Sequence, residues 1–170
     1  VALRLDPDVL EQLDHEYSEF ALNADEASAE RSKHTMAGLE GVLSAPETIE
    51  ALCSDIVAHY ESNRADVLTG KALIVAYSRP VAMKIYEELL RQRPGWKEKL
   101  GVVMTMGNQD PEEWFKVCGG KDHKKEMERR FKSDDDPLKI AIVVDMWLTG
   151  FDVPSLATMY VYKPMKGHNL

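Results

Sequence analysis

The sequence predicts an α/β domain in which a mostly parallel sheet is covered by helices, preceded by an acidic helical segment. Two observations carry this. After Gly70 the chain alternates helical stretches with short runs that are apolar at consecutive positions, the pattern of strands buried on both faces. Charge also divides along the chain. Residues 1–66 hold four Lys/Arg against 15 Asp/Glu, whereas residues 67–170 hold 17 against 14. At 170 residues the chain is long enough for one such domain with a real core and some appended structure.

The acidic segment reads as helical. Asp6 and Pro7 suit a cap and first turn, predicting a helix from Asp6 to about Leu22. Residues 23–45 are small, polar and weakly periodic, so no element is assigned to them. Pro46 suits the first turn of a second helix, in which Ile49, Leu52, Cys53, Ile56, Val57 and Tyr60 recur at helical spacing to about Asn63. Ala72–Tyr77 is the first strand. Ser78-Arg79-Pro80 opens a helix that Pro94-Gly95 closes, and Gly101–Thr105 is the second strand. Residues 106–121 read as a loop with helical turns, and a basic helix follows from Asp122 to Lys132. Asp134-Asp135-Asp136-Pro137 ends it. Lys139–Val144 and Thr158–Tyr162 complete the strands. Strand, helix, strand, helix, strand, strand implies a mostly parallel, helix-covered sheet.

Several functional classes are excluded or disfavoured. No apolar run approaches the roughly 20 residues that span a bilayer, and the N-terminus lacks a basic start followed by an apolar block. Two cysteines, Cys53 and Cys118, make no disulfide framework and fit a reducing cytoplasm. Thr69-Gly70-Lys71 has the ending of a phosphate-binding loop, but Ala65 and Ala72 stand where glycine and a hydroxyl residue belong. It also precedes a strand instead of following one. Cys118 and His123 have no second pair at structural-zinc spacing, so no metal site and no catalytic group are assigned. Lys116–Lys132 carries seven Lys/Arg against three Asp/Glu. Such a stretch suits either phosphate contact or a solvated helix face.

The informative stretch is Val143-Val144-Asp145-Met146-Trp147-Leu148-Thr149-Gly150-Phe151-Asp152-Val153-Pro154. It leaves the C-terminal end of a buried strand, where open α/β sheets place their ligands. Gly150 permits close backbone approach, Asp152 can accept from ribose hydroxyls or hold an arginine, and Pro154 fixes the next turn. On these grounds alone the stretch is a site without a named ligand. A small-ligand α/β domain and a protein-interaction module using the acidic helices both remain open.

Asp145, Gly150, Asp152 and Pro154 occupy the places of motif V in superfamily 2 helicases. The fuller wording, D-M-W-L-T-G-F-D-V-P-S-L and then M-Y-V-Y-K-P-M-K-G-H-N-L, resembles the R subunit of type I restriction enzymes. K-A-L-I-V-A-Y-S-R-P-V-A resembles motif IV of the same family, and the likeness runs over about residues 70–170. The resemblance implies a RecA-like three-layer fold for residues 67–170, the second motor lobe. Residues 1–66 would be the acidic helical connection between lobes. It places Gly150 and Asp152 on the nucleotide, and Ser78, Arg79, Thr105 and Thr149 on the DNA backbone. Val144 stands where many superfamily 2 proteins carry a phosphate-binding Thr, so that contact is not carried over. The start at Val1 and the end at Leu170 read as those of an excised piece, with the arginine-bearing motif VI expected beyond it. The whole enzyme would use ATP and Mg²⁺, with the P-loop and the Mg²⁺ ligands in the first lobe. It would translocate double-stranded DNA, cut it with a nuclease domain of the same chain and assemble with modification and specificity subunits. By itself this piece is expected to be inert.

Overall fold

A computed structural model describes residues 28–67, 69–147 and 153–163. The helix expected from Asp6 to Leu22 lies outside these residues. In chain order the elements are α1 (Ser28–Leu43), α2 (Pro46–Asn63), β1 (Lys71–Ala76), α3 (Arg79–Gln92), β2 (Leu100–Val103), α4 (Phe115–Cys118), α5 (Lys121–Lys132), β3 (Ile140–Val143) and β4 (Leu156–Tyr162). Single 3₁₀ turns at Pro94–Trp96 and Glu112–Trp114 complete them. The strands form one sheet in the order β2-β3-β1-β4, and every pairing is parallel. The predicted α/β class with a RecA-like three-layer arrangement is what the chain adopts.

All six residues of β1 and all four of β2 and of β3 are buried. The first face of the sheet carries Ala72, Ile74, Val102, Ile140, Ile142, Tyr160 and Tyr162. Against it pack Leu39 and Leu43 of α1, the apolar stripe of α2, and Val81, Ile85 and Leu89 of α3. The second face carries Leu73, Val75, Val103, Ala141 and Val143, under Met127 and Phe131 of α5. The two crossovers move in opposite directions, from β1 out to β2 through α3 and back to β3 through α5. A right-handed crossover rule therefore sends α3 and α5 to opposite faces. Met127 of α5 packs closely over Gly101, where a Cβ would lie 1.9 Å from its thioether methyl.

The stripe predicted for α2 is buried at each named position. Cys53 lies in it as a small hydrophobe, and burial pushes its thiol pKa well above the ordinary value. Helix α1 falls where the sequence assigned no element. Only Leu39 and Leu43 are buried among its described side chains, and two contacts leave little periodic trace.

Lys71 shows why the Thr69-Gly70-Lys71 resemblance to a phosphate loop is false. The residue opens β1 and is fully buried, with its ammonium donating to the carbonyls of Phe131 and Ser133 (2.6 Å to the latter). It also stands 5.2 Å from the Phe131 ring centroid. A cation at the C-terminus of α5 satisfies orphan carbonyls and opposes the helix dipole. Burial lowers its pKa, with the neighbouring Lys139 adding to the shift.

Replacing Lys71 by Met should cost about 1–3 kcal/mol in urea denaturation, because two buried carbonyls lose a charged donor. A second expectation concerns alkali. Tyr60 donates to the Gly70 carbonyl at 2.6 Å, and burial raises its pKa from 10.0 to about 12; burial does the same to Tyr160. The folded state keeps these protons after the unfolded chain has lost them, so stability falls as pH rises from about 10 towards 12. Phenolate absorbance should accordingly develop at lower pH in urea than in buffer.

Candidate functional site

Strands β1, β2 and β3 are parallel, so their C-terminal ends open on one rim of the sheet. Three of the stretches singled out in the sequence leave from that rim: Ser78-Arg79 after β1, Thr105 after β2 and the Asp145 loop after β3. Adjacent β1 and β3 send their chains to opposite faces. The β1 exit enters α3 over the first face, while Met146 and Trp147 after β3 pack on the second. Divergent exits from neighbouring strands mark the position where open α/β sheets bind ligands.

Ser78 is the N-cap of α3. Its hydroxyl accepts from the Val81 amide at 3.4 Å and donates to the Glu40 carboxylate of α1. The hydroxyl assigned to DNA is thus already bonded, and α1 is tied directly to the rim. Arg79 starts α3 with its side chain 44% exposed, and its Nε donates to Asp110 Oδ2 at 2.8 Å. The same carboxylate accepts from the Gly107 amide at 2.6 Å. A Cβ at Gly107 would lie 2.9 Å from Arg79 Nη2, so this glycine allows the guanidinium to lie against the loop after β2. Thr105 is exposed at the start of that loop. Arg79 and the Thr105 loop therefore form one unit, joined through Asp110. The Asp110 contribution was not legible in the sequence, where Asp110-Pro111 marks only a turn 31 positions from Arg79.

Beyond β3, Asp145 and Trp147 have φ of 50° and 60°. Left-handed backbone at non-glycine residues is strained by about 1 kcal/mol or more each, and such strain persists only where surrounding contacts hold it. Trp147 stacks on Phe131 with 5.7 Å between centroids, and Asp145 accepts from Lys163 at the end of β4. Because β1 lies between β3 and β4, the Asp145–Lys163 pair bridges the C-terminal end of β1. Thr149, Gly150 and Asp152 lie outside the described residues, although Val153 just beyond them is buried on the second face. Val144 is half-buried against the first-face core and carries no hydroxyl.

Among the described residues, no three of His, Cys, Asp or Glu gather as ligands. Cys118 is buried with its Sγ 3.8 Å from the Met83 sulfur. No helix among these residues is long and apolar enough to cross a membrane.

Comparison with known proteins bears on what this rim serves. Residues 88–170 match the family described as type I restriction enzyme subunit R domain 3. The chain is 41% identical over 137 residues to the type I restriction enzyme HindI endonuclease subunit of Haemophilus influenzae, covering 77% of this chain and 13% of that protein. It belongs to the type I restriction enzyme R subunits. A second relative, named as the MjaIXP type I restriction enzyme endonuclease subunit of Methanocaldococcus jannaschii, is 39% identical over 157 residues, 91% of this chain and 15% of its own. A third from the same organism, MjaVIIP, is 30% identical over 148 residues. The chain thus spans a small part of the R subunits it matches. The four strands described above lie within that part.

Asp110→Ala should release Arg79 and the Gly107 amide together. Hydrogen exchange at Gly107 is expected to accelerate by about tenfold or more while β1 amides remain protected, as for a local opening.

Proposed function

We propose that this segment of a type I restriction enzyme R subunit is the second RecA-like lobe of an ATP-driven DNA translocase. It closes one side of the ATP cleft and grips the DNA backbone. The observation that supports this best is that the chain leaves β1 and β3 at the same rim but over opposite faces, with Arg79 following β1 and Met146 and Trp147 following β3. In this reading Gly150 brings the backbone close to the nucleotide, and Asp152 accepts hydrogen bonds from its ribose. Arg79, held through one nitrogen by Asp110, turns the rest of its guanidinium to a phosphate. Thr105 and Thr149 add hydroxyl contacts. Ser78 serves first as the cap of α3, and its route to DNA requires giving up Glu40.

Contacts of this kind read backbone and not bases, so grip is sequence-insensitive and weakens with salt. ATP and Mg²⁺ supply the phosphoryl chemistry, and the P-loop and Mg²⁺ ligands belong to another lobe of the same subunit. No phosphate cradle occurs among the described residues, and Lys71 is committed to α5. Closure of the two lobes around ATP and reopening after hydrolysis would advance the grip along the duplex. Cleavage is assigned to a nuclease domain of the same chain and target choice to the modification and specificity subunits. The complex would work in the cytoplasm, and this lobe by itself would hydrolyse no ATP.

In the full-length R subunit, Asp152→Ala and Arg79→Ala should each lower DNA-stimulated ATP hydrolysis by about tenfold or more. The Arg79 variant should also weaken DNA binding uniformly across sequences and flatten its salt dependence. Hydrolysis at the normal rate in both variants overturns the assignment.

A further inference from the structure

Two of the residues assigned to DNA are each already held by a carboxylate from another element. Arg79 donates from Nε to Asp110 at 2.8 Å, and Ser78 donates from Oγ to Glu40 of α1 at 2.5 Å. The two contacts differ in kind. A guanidinium has five N–H donors, so Asp110 leaves Arg79 with donors to spare. A serine hydroxyl has one, and Glu40 uses it. The next two amides of α3 cannot stand in for it, because Pro80 has no N–H and the Val81 amide already donates to the Ser78 oxygen. A phosphate that took the Ser78 hydroxyl would therefore have to displace Glu40.

Glu40 is suited to hold that place. It is a half-buried carboxylate at the N-terminal end of α3, where the helix dipole favours negative charge, and a hydroxyl bonded to a carboxylate makes one of the stronger hydrogen bonds. Burial raises the pKa of Tyr77 and the Glu40 charge adds to the shift, which puts this carboxylate beside both residues that leave β1. Among the described residues Glu40 forms no ion pair, so a phosphate brought to the same hydroxyl meets an uncompensated like charge. Helix α1 is otherwise held near its C-terminal end. Leu39 and Leu43 are its buried side chains among those described, Tyr162 donates to the Leu43 carbonyl, and Lys84 donates to the carbonyl of Ser44 just beyond. The Glu40–Ser78 bond is the polar tie between α1 and the exit of β1.

We propose that Glu40 is a gate on the DNA grip: its carboxylate occupies the Ser78 hydroxyl in place of a backbone phosphate, and DNA must displace it to complete the grip. This rests on the reading that places Ser78 and Arg79 on DNA. The two anions exclude each other at one donor. Glu40 therefore lowers the affinity for DNA, and by linkage bound DNA weakens the hold of the rim on α1 by the same factor. Asp110 and Glu40 thus act in opposite senses on adjacent residues. Asp110 positions Arg79 for a phosphate, whereas Glu40 withholds Ser78 from one. The acidic helix α1 becomes the element that senses whether the grip is filled.

The test uses the full-length R subunit, without ATP, and a short DNA duplex of mixed sequence. Glu40→Ala should tighten duplex binding by about fivefold or more, the coupling expected of two ligands that exclude each other. Glu47→Ala removes an exposed charge from the neighbouring α2 and should leave binding nearly unchanged. In a Ser78→Ala background the gain from Glu40→Ala should vanish. In the unaltered protein, hydrogen exchange at the α1 amides around Glu40 should accelerate when the duplex is added. A gain that persists without the Ser78 hydroxyl, or that Glu47→Ala matches, is a general charge effect and overturns the proposal. Unchanged affinity of Glu40→Ala, or unchanged exchange in α1, also overturns it; the motor reading then stands if Arg79→Ala still weakens binding. Normal DNA affinity of Arg79→Ala and Ser78→Ala removes the grip itself and the gate with it. The exchange measurement needs no substitution, so a folding defect in a variant cannot decide the outcome.

Discussion

Strand β1 is the constraint on which the rest of the structure depends. It is hydrogen-bonded on both edges to parallel partners and buried along its whole length, so both of its faces need cover. Parallel partners need crossovers, and crossovers of fixed hand put α3 over one face and α5 over the other. The three layers follow from that one strand. So does the rim: once β1, β2 and β3 run parallel, the residues after each are gathered at one end however far apart they lie in the chain.

The same strand links the rim to the opposite end of the sheet. Lys71 at its start holds the C-terminus of α5, whose Phe131 carries the stacked Trp147 at the strained exit of β3. At its far end the Asp145–Lys163 pair crosses above it. A left-handed tryptophan beside a left-handed aspartate is stable only because aromatic stacking and an ion pair hold both residues. That cost falls at the start of the Asp145–Pro154 stretch.

Helices α1 and α2 belong physically to this sheet. The change of charge near residue 66 is not a change of core, because Leu39, Leu43 and the α2 stripe share the first-face cluster with Ile74, Ile142 and Tyr160. Glu40 bonds to Ser78, the Leu43 carbonyl accepts from Tyr162, and His59 bonds to the Tyr160 hydroxyl at 2.9 Å. An acidic surface stripe and an apolar buried stripe occupy the same helices, and composition alone registers the first more strongly than the second.

Sequence alone determined the α/β class, the four strands, the apolar stripe of α2 and the family. Consecutive apolar residues, helical spacing and motif wording are local properties that survive without contacts. The stretches that resemble motifs IV and V both leave the sheet at the C-terminal rim of its strands. Only the tertiary structure decided that Lys71 caps a helix 60 residues away, that Asp110 positions Arg79, and that α1 anchors Ser78. Each of these is a pairing of polar groups distant in the chain, and charge and hydrogen-bonding capacity say what a side chain can bind. Which partner it meets is set by the packing of the apolar core that brings the two together.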